Sequence, residues 1–86
     1  MRAMGGVGMN AAVEKKIGEN IRRLRMRQDM TQEVLSARMQ VEGCDVTRSA
    51  LAKIEVGQRH LYPDELIVLQ KIFAVPYEEI LKTEDT

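Results

Sequence analysis

The sequence has few of the residues that build disulfide frameworks, metal clusters or strand-rich cores. It contains a single cysteine, Cys44, so neither an internal disulfide nor a thiolate metal cluster can form. Aromatic residues make up only 3% of the chain, and aliphatic residues supply most of the 44% that is apolar. That composition favours helices over strands. An 86-residue chain with this apolar content predicts one small domain with its own core.

Long apolar runs and a net charge are also lacking. No run approaches the roughly 20 residues of a membrane-spanning helix, and the opening MRAMGGVGMN lacks the apolar stretch of a signal peptide. We therefore expect a cytoplasmic protein without membrane contact, as the cysteine usage also indicates. Residues 1–10 are expected to be a flexible segment because three of them are glycines.

The zero net charge hides an asymmetry along the chain. Residues 1–60 carry eleven basic and seven acidic residues, whereas residues 61–86 carry two basic and six acidic ones. This distribution is typical of an anion-binding part followed by an acidic part, although ordinary surface charge produces the same pattern. The charges alone do not decide between the two interpretations.

Apolar spacing and capping residues predict an all-α domain. Val13, Ile17, Ile21 and Leu24 recur at helical spacing, and helix-capping residues precede three of the predicted helices. Pro63 is placed to begin a fourth helix. The predicted helices cover 11–28, 32–40, 48–56, a stretch from residue 63, and 76–82. The domain is thus expected over 11–82, followed by a flexible acidic tail at 83–86.

The order of these segments resembles the phage Cro/repressor-type helix-turn-helix family. The resemblance rests on IGENIRRLR, TQEVLSARM, VTRSALAKIEVG and LIVLQKIFAVPYEEIL, which occur in the family's order and cover most of the chain from Ile17 to Leu81. It implies a five-helix lambda-repressor-like DNA-binding domain whose second and third helices form the helix-turn-helix. One difference is a turn over residues 40–46 that is longer than the usual connection of about three or four residues.

The third predicted helix has the residues to read DNA bases. On a helical wheel, Leu51 and Ile54 point inward, and a face with an arginine, a serine, an alanine and a lysine points outward. Such side chains suit the major groove, where arginine binds guanine, serine binds either base edge and alanine meets the thymine methyl. The family resemblance likewise implies that the third helix is a recognition helix, whose first residues contact bases in the major groove. The candidate base-contact residues are Thr47, Arg48, Ser49, Ala52 and Lys53; the alternative is a solvated surface helix.

Other roles are implied by matching positions in the family. Gln32, at the start of the second helix, corresponds to a residue that contacts a DNA phosphate, and a helix N-terminus also favours an anion. Gln58 and Arg59 follow the third helix and are candidates for contacts with phosphates of the DNA backbone. The resemblance pairs Arg25 with Glu55 in a partly buried, structural ion pair. The arginines at 22, 23 and 27 are expected on a solvated face. Together they would add a diffuse electrostatic attraction to DNA phosphates.

No residues with catalytic or metal-binding spacing were found. His60 has no cysteine or histidine partner for a metal site, so we expect a surface loop residue and no cofactor. Cys44 is expected to point inward as a small apolar group. An enzyme is therefore not expected. The favoured function is a homodimeric transcriptional regulator, with repression favoured, that binds a double-stranded DNA operator. The alternative is a protein-interaction module or an antitoxin of the same fold, with a toxin or other protein as partner. We place the dimer surface around Tyr77, Ile80 and Leu81.

Overall fold

The computed structural model describes residues 10–84. Within this range the chain forms five α-helices and no strand. The helices are α1 (Ala11–Arg27), α2 (Gln32–Val41), α3 (Arg48–Glu55), α4 (Pro63–Phe73) and α5 (Tyr77–Leu81). The predicted all-α fold class is confirmed, and each boundary lies within one or two residues of its predicted position. Flexible ends were predicted at 1–10 and 83–86; of these, residues 1–9 and 85–86 lie outside the described residues.

Short polar side chains start the first three helices, as their sequences predict. The Asn10 carboxamide oxygen accepts hydrogen bonds from the amides of Ala12 and Val13, at 3.1 and 3.2 Å. The hydroxyls of Thr31 and Thr47 each accept a hydrogen bond from the amide three residues later, both at 3.1 Å. These caps satisfy amides that a helix N-terminus leaves without intrahelical partners.

The first three helices end in the same way, and this ending shapes the long turn. After α2, Gly43 adopts a φ of 95°, its amide donates to the Gln40 carbonyl at 3.0 Å, and the Cys44 amide donates to the Met39 carbonyl at 2.9 Å. This pair of bonds is the Schellman motif, which needs a residue with positive φ. Asp29 and Gly57 have the same role after α1 and α3. The turn thus begins as a regular helix ending.

One core lies between the helices and includes residues from all five. Its members are aliphatic except for one phenylalanine and the sulfur-containing side chains. The buried set comprises Ile21, Leu24, Met30, Leu35, Met39, Cys44, Val46, Leu51, Ile54, Leu61, Leu69, Phe73 and Ile80. This set includes Leu51 and Ile54 of α3, so one side of that helix packs in the core and the other side faces outward.

Three large apolar residues of α1 and α5 lie at the surface of the domain. Val13 is 38% exposed, and Tyr77 and Leu81 are 42% and 39% exposed. Val13 lies in the first turn of α1, where fewer neighbours are available. In α5 only Ile80 is buried, because a five-residue helix can direct only a narrow face toward the core.

Candidate nucleic-acid interface

A direct backbone contact with α1 holds the third helix in place. A Cβ atom placed on Gly18 would lie 2.2 Å from the Ile54 carbonyl oxygen and 2.7 Å from that of Glu55. Only a residue without a side chain fits there, so glycine sets the distance between α1 and α3. The mid-helix glycine, which lowers helix propensity, is therefore explained by close packing.

A buried ion pair joins the same two helices. Arg25 Nε lies 2.7 Å from Glu55 Oε2, and a second guanidinium nitrogen donates to Glu55 Oε1 at 3.0 Å. Arg25 also donates to the Met30 carbonyl at 2.9 Å. Both side chains are buried, so the loss of one partner would leave the other charge buried and unpaired. The pair that the family resemblance implied is therefore present, in bidentate geometry.

The outward side of α3 carries polar groups that have no partners inside the domain. Arg48, Ser49 and Lys53 are exposed, and their side chains form no hydrogen bond or ion pair with any other residue between 10 and 84. Ala52 lies between them and is half-buried. Unpaired donors on a firmly held helix can bind an external ligand without breaking internal bonds. The structure thus brings four of the predicted base-contact residues onto one accessible face.

Thr47 differs from the other four. Its hydroxyl oxygen accepts the hydrogen bond from the Ala50 amide that caps α3, so its first role is structural. The hydroxyl proton is still free to donate outward. Val46, directly before it, is buried, and its carbonyl accepts hydrogen bonds from Ser36 Oγ at 2.7 Å and Gln40 Nε2 at 3.1 Å. These bonds attach the start of α3 to α2.

The three predicted phosphate-contact residues have different surroundings. Gln32 is half-buried, and its amide nitrogen donates to Glu55 Oε1 at 3.0 Å, which adds it to the Arg25–Glu55 pair. Gln58 is exposed and without a side-chain partner within the described part of the chain. Arg59 forms a bidentate ion pair with the buried Glu65, at 2.9 and 3.0 Å.

The environment of Arg59 makes it a poor phosphate ligand. Its hydrogen bonds to Glu65 raise the pKa of Arg59, so it stays charged, but that charge is already neutralised within the domain. Its guanidinium also donates to the His60 carbonyl at 3.0 Å and lies 5.6 Å from the centre of the Tyr62 ring. Glu65 Oε1 in turn accepts from the Tyr62 amide at the start of α4. Arg59 therefore serves mainly to connect the α3–α4 loop to α4.

An open groove lies between the N-termini of α2 and α3. Gln32 and Arg48, predicted to contact phosphate and base respectively, both line this groove together with Thr31. Asp29 and Glu33 line it as well, so its wall is not uniformly positive. The two N-termini are thus close enough to act on one ligand.

Comparison with known proteins agrees with this arrangement. A family model described as Helix-turn-helix matches residues 21–80, which include the end of α1, the whole of α2, α3 and α4, and all of α5 except its last residue. The chain belongs to the Cro/repressor-type helix-turn-helix family.

A solved structure supports the same fold. The crystal structure of the DNA-binding domain of BldD superposes on this helix-turn-helix domain with a TM-score of 0.71 and 22% sequence identity. The alignment covers 85% of this chain and 99% of the BldD domain. A search of curated proteins gave no significant match.

Several contacts that hold the helix-turn-helix together were not anticipated from the sequence. Asn20 is fully buried, and its side-chain nitrogen donates to the carbonyls of Ile80 and Lys82 at 2.9 and 2.8 Å. His60 Nδ1 lies 2.5 Å from Glu14 Oε2, so the histidine predicted as a surface loop residue also contacts α1. The only advance signal for Asn20 is a polar residue beside the apolar stripe of α1, and this pattern alone names no partner.

Residues 10–84 contain neither a membrane-spanning helix nor a metal-binding cluster. No helix there is both long enough and apolar enough to cross a bilayer. Nor do its histidine, cysteine and acidic side chains cluster in a way that could hold a metal ion.

Proposed function

We propose that the protein is a transcriptional repressor that binds a specific DNA operator as a homodimer, with α3 in the major groove. The observation that carries the proposal is the outward face of α3, where Arg48, Ser49 and Lys53 are exposed and unpaired. Membership of the helix-turn-helix family supports DNA as the ligand, as does the DNA-binding role of the BldD domain. A regulator of this kind would act in the cytoplasm, which is the location that the sequence predicts.

Each residue of the face has a chemically defined task in this proposal. Arg48 forms two hydrogen bonds with guanine O6 and N7, and Ser49 and Lys53 bind neighbouring base edges. The Ala52 methyl group contacts a thymine methyl. Thr47 caps the helix and donates its remaining hydroxyl proton to the base or phosphate nearest the start of α3.

Phosphate contacts fix the position of the domain on the duplex. We assign this role to Gln32 and Gln58, because both side chains are at least partly accessible near the ends of α3. Since one amide hydrogen of Gln32 binds Glu55, its second amide hydrogen and the first backbone amides of α2 face the phosphate. Arg59 contributes little, because its charge is already paired with Glu65.

A homodimer gives the operator its symmetry. A single small module usually buries too little DNA surface for high selectivity, so two domains that read two half-sites are expected. The exposed Tyr77 and Leu81 on α5 provide apolar surface for this pairing, whereas Ile80 is buried within the domain and is not available to a partner. Repression follows when the bound dimer covers a promoter.

A protein-interaction module or antitoxin is the second candidate. The excess of acidic residues after residue 60 and the exposed apolar side chains of α5 favour a protein partner at this end of the chain. This candidate does not need α3 to bind a duplex. Measuring duplex affinity against salt concentration separates the two, because a DNA-binding regulator loses affinity steeply as salt rises.

Selection of bound sequences from a random duplex library tests the main proposal. We expect enrichment of a symmetric site whose two halves are separated by about one helical turn, roughly 10 base pairs. A single unpaired site would leave DNA binding intact and refute the homodimer. A library without any enrichment, combined with no duplex retained at low salt, would favour the protein-interaction module.

A further inference from the structure

Most basic side chains of the domain are already engaged with other groups of the domain. Within residues 10–84, these basic side chains form an ion pair or a hydrogen bond with a side chain or a carbonyl: Lys16, Arg23, Arg25, Arg59, His60, Lys71 and Lys82. Six basic side chains in the same range have no such partner: Lys15, Arg22, Arg27, Arg38, Arg48 and Lys53. The location of this second group shows where the domain presents uncompensated positive charge.

Four of the six lie on or beside α3. Arg48 and Lys53 belong to its outward face. Lys15 and Arg22 belong to α1, where they alternate with Gly18 and Arg25 at spacings of three, four and three residues, which places all four on one side of the helix.

These four residues of α1 form a stripe, and its contacts show that it lies against the C-terminal end of α3. Gly18 touches the Ile54 and Glu55 carbonyls, and Arg25 pairs with Glu55. A Cβ atom on Gly57, directly after α3, would lie 2.7 Å from Lys15 Cα. Lys15 and Arg22 therefore flank the crossing point of the two helices, and both are exposed.

We infer that Lys15 and Arg22 bind backbone phosphates of the DNA strand that borders α1, while α3 occupies the major groove. This inference rests on the proposed function. Seven residues of helix correspond to a rise of about 10 Å, roughly the axial distance of three nucleotides along one strand, so the two cations reach different phosphates. Gln32 contacts Glu55 from the same side of α3 and extends this line of contacts to the start of α2.

Arg27 provides a matched control on the same helix. It is also an arginine, also exposed and also without a partner among the described residues, but it lies five residues beyond Arg22 and hence on another side of α1. Neutralising Arg22 or Arg27 removes the same charge from the protein. Only a local contact makes the two substitutions differ.

The test compares Lys15→Gln, Arg22→Gln and Arg27→Gln in the full chain. Binding to a fluorescently labelled random-sequence duplex is measured between low and moderate salt, with thermal melting to show that each variant is folded. Each of the first two variants should reduce the slope of log K against log salt by about 0.9, which corresponds to roughly 3.5-fold less affinity lost for a fourfold rise in salt. Arg27→Gln should keep the wild-type slope, and Arg22→Lys should restore it.

Two results overturn the inference, and a third bears on the proposed function. If Arg27→Gln lowers the slope as much as Arg22→Gln, the attraction is diffuse and there is no local phosphate contact. If none of the variants changes the slope, the stripe does not touch DNA, although wild-type binding would still support the proposed function. If the wild-type protein retains no duplex at low salt, the proposed function and this inference both fail.

Discussion

Substitution of Gly18 by alanine tests the contact that positions α3. The new methyl group would start 2.2 Å from the Ile54 carbonyl oxygen, whereas ordinary contacts of a Cβ atom begin near 3.4 Å. The obstructing atoms belong to the backbone, so no side chain can rotate away to make room. α1 and α3 must therefore separate by about 1 Å, the difference between these two distances.

Two opposing terms determine the size of the effect. Alanine in place of glycine within a helix gains up to about 1 kcal/mol of helix propensity. Forcing an extra methyl group into a packed contact typically loses ~1–3 kcal/mol and sometimes more. The separation also stretches the bidentate bonds between Arg25 and Glu55, which are now 2.7 and 3.0 Å long. We expect a net loss of about 2 kcal/mol in the free energy of unfolding, since the packing and ion-pair terms outweigh propensity.

Urea unfolding followed by circular dichroism measures this loss, and Gly43→Ala is the control. Gly43 has no atom within 4 Å of its added methyl group but has a φ of 95°, so alanine there should lose about 1–2 kcal/mol by backbone strain alone. Only Gly18→Ala should also weaken duplex binding when both variants are folded, because it displaces α3. A Gly18→Ala protein that is about 1 kcal/mol more stable than wild type, as for a solvent-facing glycine, would refute the packing argument.

Three further predictions concern the face of α3, the end of α5 and the buried thiol. Arg48→Ala should lose ~1–3 kcal/mol of binding to the selected operator and relax preference at one base pair, whereas Gln32→Ala should weaken all duplexes about equally; competition binding against single-base operator variants distinguishes the two patterns. Asn20→Ala should lose about 2 kcal/mol of stability, because it leaves two carbonyls at the end of α5 without a donor. Hydrogen exchange should then show early opening of α5, and unchanged protection of its amides would contradict this role. Burial, followed by the nearby charges of Asp64 and Glu65, raises the pKa of the Cys44 thiol above its ordinary 9.0. The stability that it contributes is thus complete below pH 9 and falls as the pH rises further, and at pH 8 iodoacetamide should modify the native protein far more slowly than the urea-unfolded one.

Local features of the fold were predictable because their causes lie within a few residues. A threonine or an asparagine before an apolar stripe can cap the following helix without help from the rest of the chain, and Asn10, Thr31 and Thr47 all do so. The same holds for Gly57, whose positive φ ends α3. Periodicity also identified Leu51 and Ile54 as the inward side of α3, which left the remaining residues of that helix to form the outward face.

Contacts between distant parts of the chain could not be predicted in this way. Asn20 binds carbonyls 60 and 62 residues away, and Glu14 binds a histidine 46 residues away. A sequence pattern shows that such a residue is polar, but not which group will satisfy it. The pairing of Arg59 with Glu65 illustrates the consequence. A basic residue after α3 suggested a phosphate contact, but the sequence could not show that the same residue pairs with an acidic residue of α4.

The long turn between α2 and α3 has little influence on the position of α3. Its first part is the Schellman ending of α2, and its last part is fixed where Ser36 and Gln40 hold the Val46 carbonyl. α3 itself is attached to α1 by the Gly18 contact and by the Arg25–Glu55 pair, neither of which involves the turn. Because these attachments set the position of α3, extra residues can extend outward at Glu42, Gly43 and Asp45, which are all exposed. The orientation of the outward face of α3 is therefore decided mainly by α1, and the length of the turn is secondary.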